Sequence, residues 1–558
     1  MIATRNRNLI QIIILGCVVG TSLLITPNFS SEPVDVPKLA MLVPLAFMAF
    51  GSLSGNFKIL FSKEFRFPAI LLSLLLAYFT LVLFVSDAPF NQQFFGTLGR
   101  NTGYLAYAAL IFLAFASMVS MDDRMLRRIN FSLLGTGFCT VIYGVLQLTH
   151  NDPIKWNNPY NPIIGFLGNP DFASAFLGIT FVVGVGIILN NKVGVKMRVS
   201  AGFLNVFSLL LIVKSHAQQG LIVAGIGSTL VIFVYLLKTK NTPNVLAGLF
   251  GLFSLIAGTF VILGIFKLGP LSERLYKLSV RQRGYYWHAA LRMMNDNPFF
   301  GVGLDSYGDN YFKYRSANAA FHTPQTQSNA AHNVFFDIGS SGGYILFFLY
   351  LVLICYTFYS AINVISKTDG FPAFFVSIFA AWLGYQSQSI VSINQLGLAV
   401  WGWALSGIII GYGIFISKNV EDKAQSGTSR KSKIQTNKMG LMVPTISLVA
   451  GGLLALPPFI ADHHYRVAME SRDANLVIQS AQSYPEDIGR SLSVAQLLAN
   501  SKLFPQALKV AQRVTDIDSK SYSAWVFISQ ISNSNSEIHR NAVVQMKKLN
   551  PNELNLGK

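Results

Sequence analysis

Charged residues are scarce in this chain. Only 12% of its 558 residues are Asp, Glu, Lys or Arg, whereas 52% are hydrophobic. A soluble domain ordinarily carries about twice that share of charge. Acidic residues are rarer than basic residues, with 25 Asp and Glu against 43 Lys and Arg. The composition excludes an ordinary soluble globular protein and indicates a chain built mostly of membrane-embedded segments.

Cysteine is also rare. Cys17, Cys139 and Cys355 all fall inside apolar segments, too scattered for a disulfide framework or a metal site, and we interpret them as buried small hydrophobes. None of the eight histidines shows a metal-ligand spacing, since His463 and His464 are adjacent rather than one helical turn apart. We therefore predict no metal and no cofactor.

Apolar runs long enough to cross a hydrocarbon core recur along the chain. The first follows Arg5 and Arg7 and lacks a small-residue cleavage site, so we interpret it as a retained helix rather than a signal peptide. The sequence predicts an all-α, polytopic helical bundle with about 13 spans. They lie near 8–26, 38–55, 67–85, 104–120, 130–149, 172–190, 198–214, 220–237, 244–266, 343–362, 371–391, 397–416 and 440–460.

The basic residues follow the spans rather than forming a nucleic-acid surface. They concentrate in alternate short loops, which predicts a cytoplasmic N-terminus, no nucleic-acid partner, and a long loop 267–342 on the outer face. These loop residues are Lys58, Lys63, Arg66, Arg124, Arg127, Arg128, Lys192, Lys196, Arg198, Lys238, Lys240, Lys367 and six Lys or Arg from Lys418 to Lys438.

The chain divides into four predicted regions. Residues 1–416 form a multi-span membrane domain, 417–439 a basic and polar cytoplasmic linker, 440–460 a last span, and 461–558 an extracytoplasmic helical tail. In the tail, Pro485 and Ser519 stand 34 residues apart, and Asn550-Pro551 comes roughly one period later. This spacing resembles tetratricopeptide repeats, although an ordinary small helical bundle remains an alternative. Either way we expect the tail to dock a protein partner.

The polar residues that suggest chemistry lie in outer loops. Arg283 and Trp287 fall on one face of a predicted amphipathic helix, together with Ala290 and Leu291. His332 and Asn333 stand where the long loop re-enters the membrane. The other candidates are Arg100 and Arg281, Asn169 at the mouth of the sixth span, and Gln219 between the seventh and eighth spans.

These residue types are suited to one kind of substrate. An enzyme on the outer face of a membrane meets no nucleotide sugars, so an activated donor must arrive on a lipid. A lipid pyrophosphate needs bidentate cationic recognition, which arginine supplies. A neutral imidazole such as that of His332 accepts a proton from an attacking hydroxyl. For any single residue a structural role competes: interfacial anchoring for an arginine, capping for His332, and a plain Asn-Pro helix start for Asn169.

The motifs together resemble the bacterial O-antigen ligases, with the Wzy-type polymerases and O-linked oligosaccharyltransferases. The resemblance rests on the following segments, which occur in the same order along the membrane domain: Arg100-Asn-Thr-Gly103, GFLGNPDFASAFLG, Arg283-x-x-x-Trp287, NPFFGVGLDSY and His332-Asn333. It departs from the ligase pattern at SHAQQG, where an arginine is expected, and after Gly342-Gly343, where a further glycine is missing.

The resemblance implies a GT-C-like, metal-independent glycosyltransferase in the bacterial cytoplasmic membrane. It would move a glycan from undecaprenyl pyrophosphate to a hydroxyl on a glycan, lipid or protein acceptor, with inversion, as a polymerase or a ligase. His332 would then be the base, Arg283 the pyrophosphate clamp, and Arg100 and Arg281 its helpers, with Asn333, Asn169 and Gln219 as substrate contacts. The alternatives are a transporter or flippase of lipid-linked glycans, and a scaffold that recruits glycan-assembly partners through its repeats.

Overall fold

The computed structural model describes residues 4–156, 161–240, 242–324, 326–424 and 441–553, and the prediction of an all-helical fold is confirmed over these ranges. The first ten helices run through most of the membrane domain. They are α1 (Thr4–Leu23), α2 (Asp35–Gly51), α3 (Lys63–Val85), α4 (Phe90–Phe95), α5 (Tyr104–Val119), α6 (Asp123–Leu148), α7 (Pro170–Ile188), α8 (Val195–Lys214), α9 (Gln218–Lys238) and α10 (Asn244–Ile265).

The long loop is itself largely helical. It contains α11 (Ser272–Leu275), α12 (Leu278–Asp296), α13 (Tyr307–Tyr314) and α14 (Ala317–His322). The chain then forms α15 (Val334–Lys367), α16 (Ala373–Ser389), α17 (Leu396–Ala424) and α18 (Met442–Ser471). Of the predicted linker 417–439, residues 417–424 continue α17, and residues 425–439 lie outside the described ranges.

Each of the thirteen predicted apolar segments falls on a helix, but not every helix is long enough to count as a span. In the part of the chain that the structure describes, ten helices are long and apolar enough to cross a membrane. The number rises to eleven when α2 and the 3-10 helix Ser54–Phe61, bent by 73°, count as one span. α5 has 16 residues and α16 has 17. The chain is a multi-pass membrane protein, and the count of 13 stays a prediction.

Loops rich in basic residues lie at one end of the helical bundle, and loops with few basic residues lie at the other end. At one end, Arg7 pairs with Asp122 at 3.1 Å, and Lys418 pairs with Glu64 at 3.3 Å. These residues belong to loops and helix ends that carry the basic excess. The loops with few basic residues meet the long loop and the tail at the other end, which we call the site end. Which end faces the cytoplasm stays a prediction.

One expectation about the cysteines is wrong. Cys17 is buried, but Cys139 and Cys355 lie on exposed surface of α6 and α15. Apolar residues of a membrane helix need not face the protein interior, because lipid is as apolar as a protein core. Burial of a small apolar residue therefore does not follow from its place in an apolar span.

The tail folds as a series of helices packed in pairs. α19 (Ala474–Ala481) is followed by α20 (Ile488–Asn500), α21 (Phe504–Ile517), α22 (Tyr522–Ile531) and α23 (Glu537–Leu549). α20 packs against α21, and α22 against α23. The first helices of these two pairs begin 34 residues apart, at Ile488 and Tyr522. The assignment to tetratricopeptide repeats stays a prediction.

A glycine kink in α15 fixes the loop against the membrane domain. Gly343 has φ 72° and ψ −172°, a conformation that breaks the helix and that only glycine adopts readily. The amides of Val302 and Tyr344 donate across this junction to the carbonyls of Ser340 and Pro298, both at 2.8 Å. The kink thus holds the turn before Asp305 beside the first turns of α15.

Replacing Gly343 with alanine is expected to destabilise the protein. An added Cβ would lie 2.4 Å from the carbonyl oxygen of Pro298 and 2.6 Å from the backbone of Phe299, and the backbone conformation alone costs about 1–3 kcal/mol for other residues. Thermal unfolding in detergent should show a lower midpoint for Gly343→Ala. Gly284→Ala is the control, because nothing lies within 4 Å of its added Cβ in α12. Equal midpoints for the two variants would contradict the assigned role of the kink.

Candidate active site

His332 is held in a strained backbone position just before α15. Its φ of 51° lies in the left-handed region, where a non-glycine residue typically costs about 1–3 kcal/mol and persists only if its surroundings enforce it. Here both neighbours are fixed. The Ala331 amide donates to Asp337 Oδ1 at 2.7 Å, and Asn333 Oδ1 caps α15 by accepting from the amides of Phe335 and Phe336 at 3.0 and 3.2 Å. These caps determine where the imidazole lies.

The surroundings of the imidazole keep it neutral. Its ring stacks on Tyr286, with ring centroids 5.3 Å apart and planes inclined by 28°. Burial, together with the positive charges of Arg283 and Arg100, lowers the pKa of His332 from 6.5 to about 4. The side chain is therefore an unprotonated base at neutral pH, within the electrostatic influence of two guanidinium groups.

Arg100 is engaged by the protein itself. Its guanidinium lies 3.5 Å from Asp305 Oδ1 and donates to the backbone carbonyl of Asn329. Burial disfavours its charge, but Asp305 and Asp337 outweigh that effect and raise the pKa of Arg100 above its usual value. Asp305 is fixed in turn by the amide of Thr97 at 2.8 Å. Arg100 consequently joins the segment before α5 to the long loop and has part of its charge neutralised.

The helix α12 presents donors that have no acceptor. The side-chain Nε atoms of Arg281 and Arg283 and the indole nitrogen of Trp287 are buried and have no hydrogen-bond partner within the described residues. Burial lowers the pKa of Arg283, and the nearby carboxyl of Asp171 opposes that effect. Buried donors without acceptors are uncommon in proteins. Their clustering on one helix is typical of a site that receives an anion.

The predicted face of α12 is only partly correct. The helix forms as expected, with Ala290 buried, but Leu291 is 39% exposed. The buried residues are Tyr286, Ala289, Ala290, Met293 and Met294. Two consecutive residues lie 100° apart on a helix, so Ala290 and Leu291 cannot both point at the centre of a narrow contact. Sequence spacing places Arg283 and Trp287 on one face and leaves open how far that face extends.

Two other predicted residues have structural partners. Asn169 Oδ1 accepts from the amide of Asp171 at 2.8 Å and caps α7, as in the alternative of a plain helix start. Its position next to Asp171 brings it to the Arg283 side of the site. Gln219 is buried and accepts a 3.4 Å hydrogen bond from Gln388 between α9 and α16. A role for Asn169, Gln219 or Asn333 in substrate contact stays a prediction.

The place of several residues in the site cannot be predicted from the sequence. Asp305 and Tyr286 lie inside motifs that the sequence singles out, and Asp337 follows Asn333 by four residues. Nothing in their spacing shows that they lie near Arg100 or His332. Asp171 is the partial exception, because it follows Asn169-Pro170 in a segment that looks functional. Its neighbour Arg283 is more than a hundred residues away, and only the fold brings the two charges together.

A polar cleft of about 370 Å³ opens beside Arg100 and Asp305. One wall is the segment 89–101, a second comes from residues 305–329 of the long loop, and the third is formed by the tail, mainly residues 485–492. A small buried cavity adjoins it, since Arg100 and Asp305 line both spaces and Asp337 lines the inner one.

The tail is fastened to the loops that form this cleft. The carboxylate of Asp487 accepts from the amide of Leu98 at 3.1 Å, and Lys520 donates to the backbone carbonyl of Asp87 at 2.8 Å. Arg315, fully buried, donates to Glu553 at 3.0 Å and to Asn550 at 3.1 Å. Removing one partner of a buried ion pair is strongly destabilising, because the remaining charge is left buried without compensation. The tail is therefore an integral wall of the site end.

Comparison with known families agrees with the resemblance seen in the sequence. Residues 203–351, which run from α8 into α15 and include Arg283 and His332, match the family model described as O-antigen ligase, Wzy_C. No curated protein matches the chain. The resemblance to the O-antigen ligase family is confirmed over this segment, which supports a role as a ligase or polymerase in glycan biosynthesis.

Proposed function

We propose that this protein is an inverting glycosyltransferase that moves a glycan from undecaprenyl pyrophosphate to a hydroxyl acceptor at the outer face of the cytoplasmic membrane, without a metal. The observation that carries the proposal is the arrangement around His332. A neutral imidazole lies within the electrostatic influence of two arginines, and one of them, Arg283, belongs to a helix with several buried donors that have no partner among the described residues. A base beside an anion site is what transfer from a lipid diphosphate requires.

The reaction needs one proton acceptor and one stabilised leaving group. The acceptor oxygen forms a bond to the anomeric carbon while the bond from that carbon to the diphosphate oxygen breaks. The electron pair leaves with the diphosphate, and the hydroxyl proton passes to an imidazole nitrogen of His332. Attack from the face opposite the diphosphate inverts the anomeric centre.

The two arginines have different roles in this scheme. The Nε of each arginine lacks a partner among the described residues, but the guanidinium of Arg100 already binds Asp305 and Asn329, whereas that of Arg283 has no hydrogen bond or ion pair there. A diphosphate competes poorly for a guanidinium that is already paired. We therefore assign the departing diphosphate to Arg283, with Arg281 as its helper, and assign to Arg100 the positioning of the loops and of the field around His332.

The proposed function is tested with purified protein in lipid vesicles and lipid-linked glycan extracted from the producing cells. A ladder of longer lipid-linked chains would identify a polymerase, whereas transfer onto a lipid or a protein would identify a ligase or an oligosaccharyltransferase. Movement of intact lipid-linked glycan across the vesicle membrane with no new glycosidic bond would refute the proposal in favour of a flippase.

The pH dependence of transfer should reflect the environment of His332. The imidazole acts only when unprotonated, and its pKa of about 4 places the acid limb of kcat/KM near pH 4 rather than near 6.5. Transfer should thus rise as the pH increases through about 4 and stay flat up to neutral pH. In Arg283→Gln the residual rate should show an acid limb shifted towards 6.5 but still below it, because burial remains. An acid limb near 6.5 in the unchanged protein would contradict the assigned base.

A further inference from the structure

We infer that the cleft between the segment 89–101 and the tail, which we call the tail cleft, binds the acceptor as an extended, uncharged oligosaccharide. The inference rests on the proposed function and adds to it the place and the chemical class of the acceptor. It also gives the C-terminal tail a part in substrate binding that is separate from any docking of a protein partner.

The position of the tail cleft relative to His332 argues for the acceptor. The charges of Arg283 and Arg100 both act on the imidazole. Asp337, which lines the inner cavity, accepts from the amide of Ala331, the residue before His332. Arg100 lines the tail cleft and the inner cavity that reaches Asp337, whereas Arg283 lines neither space. With the diphosphate on the Arg283 side, a hydroxyl that gives its proton to His332 approaches from the Arg100 side. The tail cleft is the opening on that side.

The lining of the tail cleft is suited to hydroxyl groups. Eight of its side chains are amides or simple hydroxyls, among them Asn91, Thr97, Gln327 and Ser523. Such groups both donate to and accept from sugar hydroxyls. Asn101 adds a buried amide, only 2% exposed, whose Oδ1 has no hydrogen-bond partner in the described part of the chain. The volume lies within the roughly 300–1,000 Å³ that small-molecule sites occupy.

The charge of the tail cleft argues against the diphosphate and against acidic glycans. Its four carboxylates outnumber its two guanidinium groups. Arg490 donates to the carbonyl of Pro485 at 2.6 Å inside the tail, and Arg100 is paired with Asp305. The carboxylates that repel an anionic ligand are Asp305, Glu486 and Asp487. Burial and the charge of Asp518 raise the pKa of Asp309 to about 7 and leave it only partly charged at neutral pH.

Gly489 offers a way to close the tail cleft after the protein has folded. It lines the cleft at the start of α20, is exposed, and has only Asp487 Oδ1, at 3.2 Å, near an added Cβ. Gln496 is an exposed residue two turns further along the same helix that does not line the cleft. Gly489→Cys and the matched control Gln496→Cys are made with Cys139→Ser and Cys355→Ser, inserted in vesicles, and labelled with a bulky maleimide.

We expect labelled Gly489→Cys to lose at least tenfold in kcat/KM for the acceptor, while KM for the lipid-linked donor and hydrolysis of the donor by water stay unchanged. The free oligosaccharide released by mild acid from the same lipid-linked glycan should slow labelling of Gly489→Cys and not of Gln496→Cys. This protection needs no turnover, so it tests the tail cleft even if the unmodified protein fails to transfer glycan, which would refute the proposed function instead.

Three results would overturn the inference. One is equal acceptor kinetics for the two labelled variants. Another is a rise in the donor KM alone, which would assign the tail cleft to the donor glycan. The last is protection by envelope protein but not by the oligosaccharide, which would assign the cleft to a protein acceptor.

Discussion

Replacing His332 with alanine is expected to reduce the rate of glycan transfer by about 10²–10⁴-fold, the usual contribution of a positioned general base. The variant should still bind the lipid-linked donor, because the donors of α12 remain in place. Transfer and donor binding are measured in the same vesicles, with the extracted lipid-linked glycan as substrate.

The control for this variant is His322→Ala. His322 is an exposed histidine of the same loop, on α14, with its ring against Phe321. It should leave transfer unchanged. Glycan of normal length and amount from His332→Ala would remove the imidazole from the mechanism, whatever happens to the rest of the site.

Replacing Arg283 with methionine should have an effect of similar size. Removing one preorganised donor from a developing negative charge typically lowers kcat by about 10²–10³-fold. Because that charge grows as the diphosphate leaves, kcat should fall more than the affinity for the donor. Arg283→Lys should recover little of the rate, since an ammonium cannot provide the planar, bidentate geometry of a guanidinium. Single-turnover rates and donor binding separate the two quantities.

Arg274→Met is the matched control for Arg283→Met. Arg274 lies in the same outer loop, on the short helix α11, and is exposed. A loss of activity shared equally by both variants would show that the loop as a whole needs its positive charge, and it would contradict a specific role for Arg283.

The sequence predicts the helices well, for a physical reason. Membrane helices are long apolar runs, so each expected segment falls on a helix. The location of Arg283 and Trp287 on one face of a helix follows from helical periodicity, which is a local property. His332 stands before an apolar run, and the sequence alone places it at the mouth of a span.

What the sequence does not predict depends on contacts between distant segments. Asp305 meets Arg100 across about two hundred residues, and Asp171 meets Arg283 across more than one hundred. No spacing in the sequence indicates that Arg315 binds Glu553. The tail was expected to present a docking surface for a protein partner. In the structure it also contacts the segment that leads into α5 and forms a wall of the tail cleft. No periodicity encodes such pairs, because they depend on how the helices pack.

The attachment of the tail also orders events during biosynthesis. The inner cavity beside Arg100 and Asp337 is bounded by residues that leave the ribosome before residue 350, but the third wall of the tail cleft appears only once α20 has reached the site end. The bond from Arg315 to Glu553 forms later still. A nascent chain therefore already carries the proposed proton acceptor and the proposed anion site while one side of the cleft is still open. The tail cleft is complete only after the helices of the tail have folded against the segment 89–101 and the long loop.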